Sequence, residues 1–493
     1  MPHAVVVGSG IGGLISAHLL AMHGYTVTVL EQHYRPGGFL HRFFRNGIGY
    51  DTGFHYVGGA RGDQLFGRVM KHVGIYDDLH MESMDPDGFD ILKFPGFEFV
   101  VPVGVDAFRD RLLAAFPHET EGIHRYIAMH REAVLAYGLF NLDLTTPPES
   151  VLPWEERSLA EVLEACFDDL RLRAVLAGQG ALYGVPPKDA PFGLHAIVTD
   201  HFLQGAWTVR GGGDKIAMAL VRRLKARGGV VRLRSKVVAI DVEDHYARRV
   251  RTEDGTIYDA DLVICNLHPR AVVDLVPPGT FRSAYVQRVT EAQPGVCHLG
   301  MYLRVEGDLS ALGNRNLYAY DTWDPEEAAG CSTPARVPFY FLTAPGFRHP
   351  QGPPGTEQVV LGLIQTSYAE FKRWHGETPR SEAYTVFKQE IMEAGLRAIA
   401  RDFPDWRIVR AEASTPLTTI DFTGSPFGAT YGHYHSVRQM GRYRLPVRTK
   451  VRNLLQTGQC VGFPGICGAT MSAYVACGEI LGLPNLVEEL KAQ

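Results

Sequence analysis

Several things are missing from this 493-residue sequence, and each absence narrows what the protein does. No window approaches the roughly 18 uninterrupted apolar residues of a membrane-spanning helix, so a bilayer would be met only from its surface. The seven cysteines (Cys166, Cys265, Cys297, Cys331, Cys460, Cys467 and Cys477) form no CxxC pair. That argues against a zinc site or a disulfide scaffold and for a reducing compartment. Positive charge is not in excess: 49 Lys and Arg against 54 Asp and Glu leave a net charge of −5, which does not suggest nucleic acid as a partner. No basic leader is read at the start, where "AVVVG" from Ala4 runs straight into a glycine motif, so the expected location is cytoplasmic with membrane association left open. Internal repeats and low-complexity tracts are also absent.

What is present alternates between two patterns. Residues 3–8 read as a buried strand, 12–23 as a helix and 25–31 as a second strand, a complete βαβ opening. Helical periodicity follows over 105–136 and 157–177, with the proline-rich stretch 144–154 between them as a linker. A helix is predicted over 213–229, one or two strands over 230–243 and a strand over 260–266. From about 293 to 440, strand-like runs accompany one long helix at 380–402. The C-terminus returns to a strand at 453–458 and a helix at 468–481. The fold class that follows is α/β, a discontinuous Rossmann-type nucleotide domain with an inserted mixed-sheet and helical substrate-binding domain. The expected division is 1–104 with 206–292 and 441–493 for the first, and 105–205 with 293–440 for the second.

The opening "VVVGSGIGGLISAHLLAMHGYTVTVLE" has Gly8, Gly10 and Gly13 in GxGxxG spacing, after a strand and at the head of a helix. In that setting Gly8 permits the tight turn, Gly10 lets backbone approach a pyrophosphate, and Gly13 lets helix and strand pack closely. Ile11 and Gly12 lie between them, where helix N–H groups and the dipole attract phosphate. Glu31 ends the next strand as a ribose acceptor, with Gln32 beside it. The Gly37-Gly38 pair then fits a cofactor that continues past the pyrophosphate, as FAD does. No second GxGxxG is present for NAD(P)H, so electrons are expected to come or go by another route or by transient contact.

At this point the sequence resembles the superfamily of flavin amine oxidases, protoporphyrinogen oxidases and phytoene desaturase-like enzymes, through "GSGIGGL", "VLE", "PGG" and "YDTG". Two later segments carry the same likeness. In 209–240 the resemblance implies that Val237 or Val238 holds adenine through backbone atoms. In 453–481 it implies flavin-side contacts from Gly458, Gln459, Gly468, Ala469 and Thr470. "LEQHYRPGGFLHRFFRNGIGYDTGFHYVGG" is similar, nearly position for position, to the opening of the retinol saturases, close to the carotenoid isomerases. The likeness implies FAD as cofactor and a hydrophobic polyene or isoprenoid as substrate, saturated, desaturated or isomerised at a C=C bond. The runner-up is a flavin oxidase of an amine or porphyrinogen-type substrate. A third reading is a prenyl-binding protein of the Rab GDP-dissociation-inhibitor fold that uses no flavin.

Such a substrate has few polar handles, so the site is expected to be an apolar tunnel. The aromatic stretches 191–207, 316–323 and 337–343 are candidates for its walls. His55 and Tyr56 are the candidate catalytic residues: a histidine that titrates near neutrality and a tyrosine able to deliver a proton. Asp51 reads as structural, bonding turn N–H groups. His433 and His435 form a HxH pair without a clear third ligand, and no metal is assigned. The run Arg438, Arg442, Arg444, Arg448, Lys450 and Arg452 is either a contact for anionic lipid or a solvated face with local salt bridges.

Overall fold

The computed structural model describes residues 1–349 and 357–493. The predicted βαβ opening forms: strand His3–Val7, helix Ile11–Met22 and strand Thr26–Leu30. These strands sit in a five-stranded parallel sheet ordered Val230–Arg232, Thr26–Leu30, His3–Val7, Leu262–Cys265, Leu454–Gln456. Three distant stretches of chain thus complete one sheet, because parallel strands are joined by crossovers rather than hairpins. Burial on both faces explains the continuous apolar run Ala4–Val7. The stretch 230–243 splits into two strands of different sheets. Val230–Arg232 joins the parallel sheet, and Val237–Glu243 opens a three-stranded antiparallel one with Tyr246–Thr252 and Ile257–Asp259.

The second large sheet has seven strands, ordered Arg407–Ser414, Cys297–Glu306, Gln358–Thr366, Phe339–Thr343, Asn316–Tyr320, Asp90–Phe94, Phe97–Val101. The expected division at residue 104 does not follow it. The hairpin 90–101 precedes that boundary, yet it pairs with Asn316–Tyr320 in parallel register, Asn316 opposite Asp90 and Tyr318 opposite Leu92. Alternation along these strands sorts their side chains between two cores. Leu317, Ala319, Tyr340 and Leu342 pack against Ile391 and Ala398 of the long helix Glu382–Asp402. Tyr318, Phe339 and Phe341 face the other way, toward the helices of residues 105–203. Those helices are Val105–Ala115, Thr120–Ala136, Leu159–Cys166, Leu170–Ala177 and Phe192–Leu203.

The expected linker 144–154 is more structured than a linker. It contains a 3-10 turn at Pro148–Val151 and a short helix, Leu152–Glu155. Its Glu155 is buried and accepts hydrogen bonds from the Tyr137 hydroxyl at 3.1 Å and the Gly441 N–H at 2.8 Å, beside the Arg444 guanidinium. The cysteines are all free.

Candidate active site and cofactor groove

A cavity of about 600 Å³ runs between the C-terminal ends of the parallel strands and the aromatic face of the seven-stranded sheet. One end is built from glycines. Gly8 (φ +93°), Gly37 (φ +113°) and Gly38 (φ +57°) hold left-handed backbone, and a Cβ on Gly38 would come within 3.3 Å of the Gly10 Cα. Helix Ile11–Met22 begins at Gly10 with no side-chain cap, so its first N–H groups are open to the cavity. Helix Gly465–Leu481 also begins without a side-chain cap, three residues earlier than its expected start, and presents Gly465, Ile466 and Cys467 to the same space. Two uncapped helix N-termini and a glycine-lined slot fit a dinucleotide diphosphate.

Most sequence-predicted cofactor residues line this cavity: Gly8, Gly10, Ile11, Gly12, Glu31, Gln32, Gly37 and Gly38 from the opening. Val237, Gly458, Gln459, Gly468 and Ala469 join them from the later segments. Gly13 stands behind the wall, where a Cβ would meet the Gly8 carbonyl oxygen at 2.1 Å, so its place is in helix–strand packing. Val238 and Thr470 are not brought to the groove. Val238 sits at a bulge of its strand, between the paired residues Val237 and Ala239, and is 44% exposed. Thr470 is fully buried inside its helix. Glu31 is already engaged: Oε2 accepts from the Ser9 N–H at 2.8 Å and the Ser9 hydroxyl at 2.6 Å, and Oε1 from the His33 N–H at 2.8 Å. Oε1, with one of its two lone pairs engaged, retains capacity for a ribose hydroxyl.

The far end of the cavity is apolar. Phe202, Phe339, Phe341, Ile197 and Leu363 line it, and Tyr56 packs on Phe202 with ring centroids 4.5 Å apart. The expected tunnel walls at 191–207, 316–323 and 337–343 each contribute, but only on the sheet or helix face turned inward. Tyr320 and Trp323 instead stack on Phe94.

His55 lies between this cavity and a side chamber of about 240 Å³ lined by Arg42, Asp51, Arg348 and His349. Both of its ring nitrogens are buried without a hydrogen-bond partner among the described residues. Burial, reinforced by Arg348 and His298, pulls its pKa down to about 4. This corrects the expectation of a histidine titrating near neutrality: at pH 7 the ring is neutral and is no imidazolium acid. Tyr56 donates its hydroxyl to Asp90 Oδ2 at 2.8 Å and meets the Tyr318 hydroxyl at 2.6 Å. Burial, with the Asp90 charge adding to it, lifts its pKa well above the usual tyrosine range. Asp51 accepts from the Gly213 N–H at 2.8 Å and lies 3.4 Å from the Arg42 guanidinium, as a structural residue would. Its burial outweighs Arg42 and raises its pKa to about 6.

Several contributors were not individually singled out from the sequence. Asn266, at the end of strand Leu262–Cys265, lies against Gly10, Gly12 and Gly458. Its position at the carboxyl end of a parallel strand beside the fingerprint was the available signal. His33 and the segment 422–425 also line the cavity, as do Tyr318 and Tyr431. The HxH pair is stacked, with ring centroids 4.5 Å apart, and His435 Nε2 is 2.9 Å from the Gln459 carbonyl oxygen. No cluster of three metal-ligating side chains occurs among the described residues. In the basic run, Arg442 pairs with Glu156, Arg444 with Glu155 and Arg448 with Glu479, so half of its cations are neutralised locally. No helix among the described residues is long and apolar enough to cross a membrane.

Comparison with known proteins agrees with this architecture. The pattern of the family described as flavin containing amine oxidoreductase matches residues 11–481. An all-trans-retinol 13,14-reductase of Rattus norvegicus is 29% identical, over 99% of this chain and 87% of the relative. A 4,4'-diapophytoene desaturase (4,4'-diapolycopene-forming) of Methylomonas is 23% identical, over 62% of this chain and 61% of the relative. Among solved structures, cyclohexylamine oxidase of Brevibacterium oxydans superposes with a TM-score of 0.61 at 16% identity, over 99% of both chains. At that identity the likeness is one of fold.

Proposed function

The chain belongs to the flavin containing amine oxidoreductase family, and from that premise we propose that it is an FAD-dependent oxidoreductase of C=C bonds in a hydrophobic polyene or isoprenoid. The observation that carries the reading is the continuity of the cavity, from a diphosphate-shaped glycine slot to an aromatic wall. Its volume of about 600 Å³ lies within the range of ligand sites. The relatives that span most of the chain's length support the same class: one is named a reductase and the other a desaturase. The amine and porphyrinogen alternative keeps the family, and the likeness to cyclohexylamine oxidase that would favour it is one of fold, at 16% identity. The prenyl-binding alternative has no use for the glycine slot.

In this reading FAD lies along Gly8, Gly10, Ile11, Gly12, Glu31, Gln32, Gly37 and Gly38. Val237 stands at the adenine end, with Gly458, Gln459, Gly468 and Ala469 toward the flavin. When bound, FAD supplies the exchange of a hydride. The protein's own residues do the rest. The phenylalanine wall holds a long apolar chain and excludes water. His55 offers a neutral imidazole at the cavity edge and closes it against the polar side chamber. The residual contact with an anionic membrane rests on Arg438, Lys450 and Arg452, and co-sedimentation with anionic vesicles at low and high salt tests it; absence of binding removes it.

The decisive experiment is anaerobic. Reduced and oxidised holoenzyme are each offered a set of polyenes, and the flavin spectrum and product geometry are followed. A polyene that reoxidises or reduces the flavin is expected; an amine that reduces it while no polyene reacts would overturn the reading. His55→Ala is expected to keep its flavin and lose most turnover, about 10²-fold. Unchanged turnover would remove His55 from the mechanism.

A further inference from the structure

Asp90 is an unusual residue in this molecule. It is fully buried on the cavity side of strand Asp90–Phe94, and no Lys, Arg or His among the described residues pairs with it. Three neutral side chains bond it instead, and a fourth extends the chain. Gln179 Nε2 donates to Oδ2 at 2.7 Å and Asn316 Nδ2 to Oδ1 at 3.0 Å. The Tyr56 hydroxyl reaches Oδ2 at 2.8 Å, and the Tyr318 hydroxyl reaches Tyr56 at 2.6 Å. Tyr320 is the other titratable group whose energy Asp90 affects. An isolated carboxylate buried among apolar residues is costly unless it can take up a proton. Burial raises its pKa to about 7, the three donors opposing. Tyr56 and Tyr318 both line the substrate end of the cavity.

Resting on the functional reading above, we propose that Asp90 is the proton store of this site, exchanging its proton with the substrate through the hydroxyls of Tyr56 and Tyr318. Each hydroxyl has one hydrogen to donate, so the direction of the chain depends on one proton. With Asp90 ionised, Tyr318 donates to Tyr56 and Tyr56 to Asp90. The Tyr318 oxygen then offers the cavity only lone pairs and can accept a proton. With Asp90 protonated, Asp90 donates to Tyr56 and Tyr56 to Tyr318, and the Tyr318 O–H is free to point into the cavity. In saturation, one carbon of the C=C pair needs a hydride, which reduced FAD would supply when bound. The π electrons take the Tyr318 proton at the neighbouring carbon. Tyr318 is reprotonated by Tyr56, Tyr56 by Asp90, and Asp90 ends ionised. Desaturation is the reverse: a C–H proton passes to Tyr318 and a proton reaches Asp90 as the hydride leaves. The network thus supplies one proton per double bond in either direction.

Asp90→Asn and Tyr318→Phe, each as flavin-loaded protein, test this. The carboxylic acid band in the infrared spectrum of the resting enzyme is expected to titrate near pH 7 together with tyrosine absorbance. That signal should vanish in Asp90→Asn and persist in Tyr318→Phe, which keeps the carboxyl with Tyr56. Both variants should retain flavin, yet incorporate solvent deuterium into product at least about 10²-fold more slowly. The wild-type pH profile should lose its inflection near 7 in Asp90→Asn. Turnover by Tyr318→Phe within threefold of wild type would overturn the proposal, as would a carboxyl band indifferent to Asp90→Asn. If even the wild type turns over no polyene, the functional reading fails. The resting-state titration then decides alone: its presence sustains the proton store and its absence overturns it.

Discussion

Acidification from pH 7 to pH 5 is expected to destabilise the protein strongly and lower its melting temperature. His18, His130, His195, His201 and His435 are all buried. Burial lowers four of them to a pKa of about 4 and His195 to about 3. His195 shows why: its ring nitrogens lie 3.0 Å from the Tyr126 and Tyr183 hydroxyls. The neutral ring donates to one hydroxyl and accepts from the other; an imidazolium would donate to both and force that second tyrosine hydrogen into apolar surroundings. A histidine that is neutral when folded and charged when unfolded contributes stability above its unfolded pKa. That stability is lost as pH falls through the window between 6.5 and 4. At pH 5 the loss is about 2 kcal/mol per ring. Asp90 and Asp51 act oppositely. Their folded pKa values, raised to about 7 and about 6, favour the folded state as pH falls. Together they return about 4 kcal/mol. Five histidines outweigh two carboxyls, and the net loss rivals the 5–15 kcal/mol or so that holds a typical domain folded. Melting temperatures between pH 7 and pH 5 check this. A value steady within a few degrees would show that the rings protonate without leaving their sites.

Gly13→Val is expected to give protein without bound flavin. The Cβ of any residue there would stand 2.1 Å from the Gly8 carbonyl oxygen. The obstacle is backbone, so no rotamer change relieves it. The helix must move off its strand, carrying its N-terminal N–H groups away from the diphosphate slot. Overpacking costs about 1–3 kcal/mol where side chains can adjust, and more where they cannot. A loss of flavin affinity of at least about 10²-fold follows. Gly96→Ala is the control: although Gly96 has φ +70° where Gly13 is helical, nothing lies within 4 Å of its Cβ. Flavin content per chain measures both variants, and normal content in Gly13→Val would refute the packing argument.

The cofactor half of the site was legible because its determinants are local. Gly8, Gly10 and Gly13 are spaced by the turn and helix they form, and Glu31 ends the strand that follows. The substrate half was not, because strand pairing assembles it. Asp90 lies 34 residues from Tyr56 and 226 from Asn316, and nothing in the neighbourhood of "GFDILKF" marks it as a buried carboxyl. The same pairing placed the hairpin 90–101 in the seven-stranded sheet, beyond the reach of a boundary drawn from periodicity. Adjacent residues also parted company. Val237 lines the cavity and Val238 does not, since a bulge at Val238 turns it out of the ladder.

The sequence by itself determined the nucleotide cradle, the cofactor class and the α/β architecture, since these depend on backbone freedom at glycines and on hydrophobic period, both local properties. Only the tertiary structure decided which aromatic faces meet the substrate and which stack elsewhere. It alone set the protonation of the polar groups. His55 is neutral and Asp90 is poised to exchange a proton because of what packs around them, and desolvation is a property of the folded molecule.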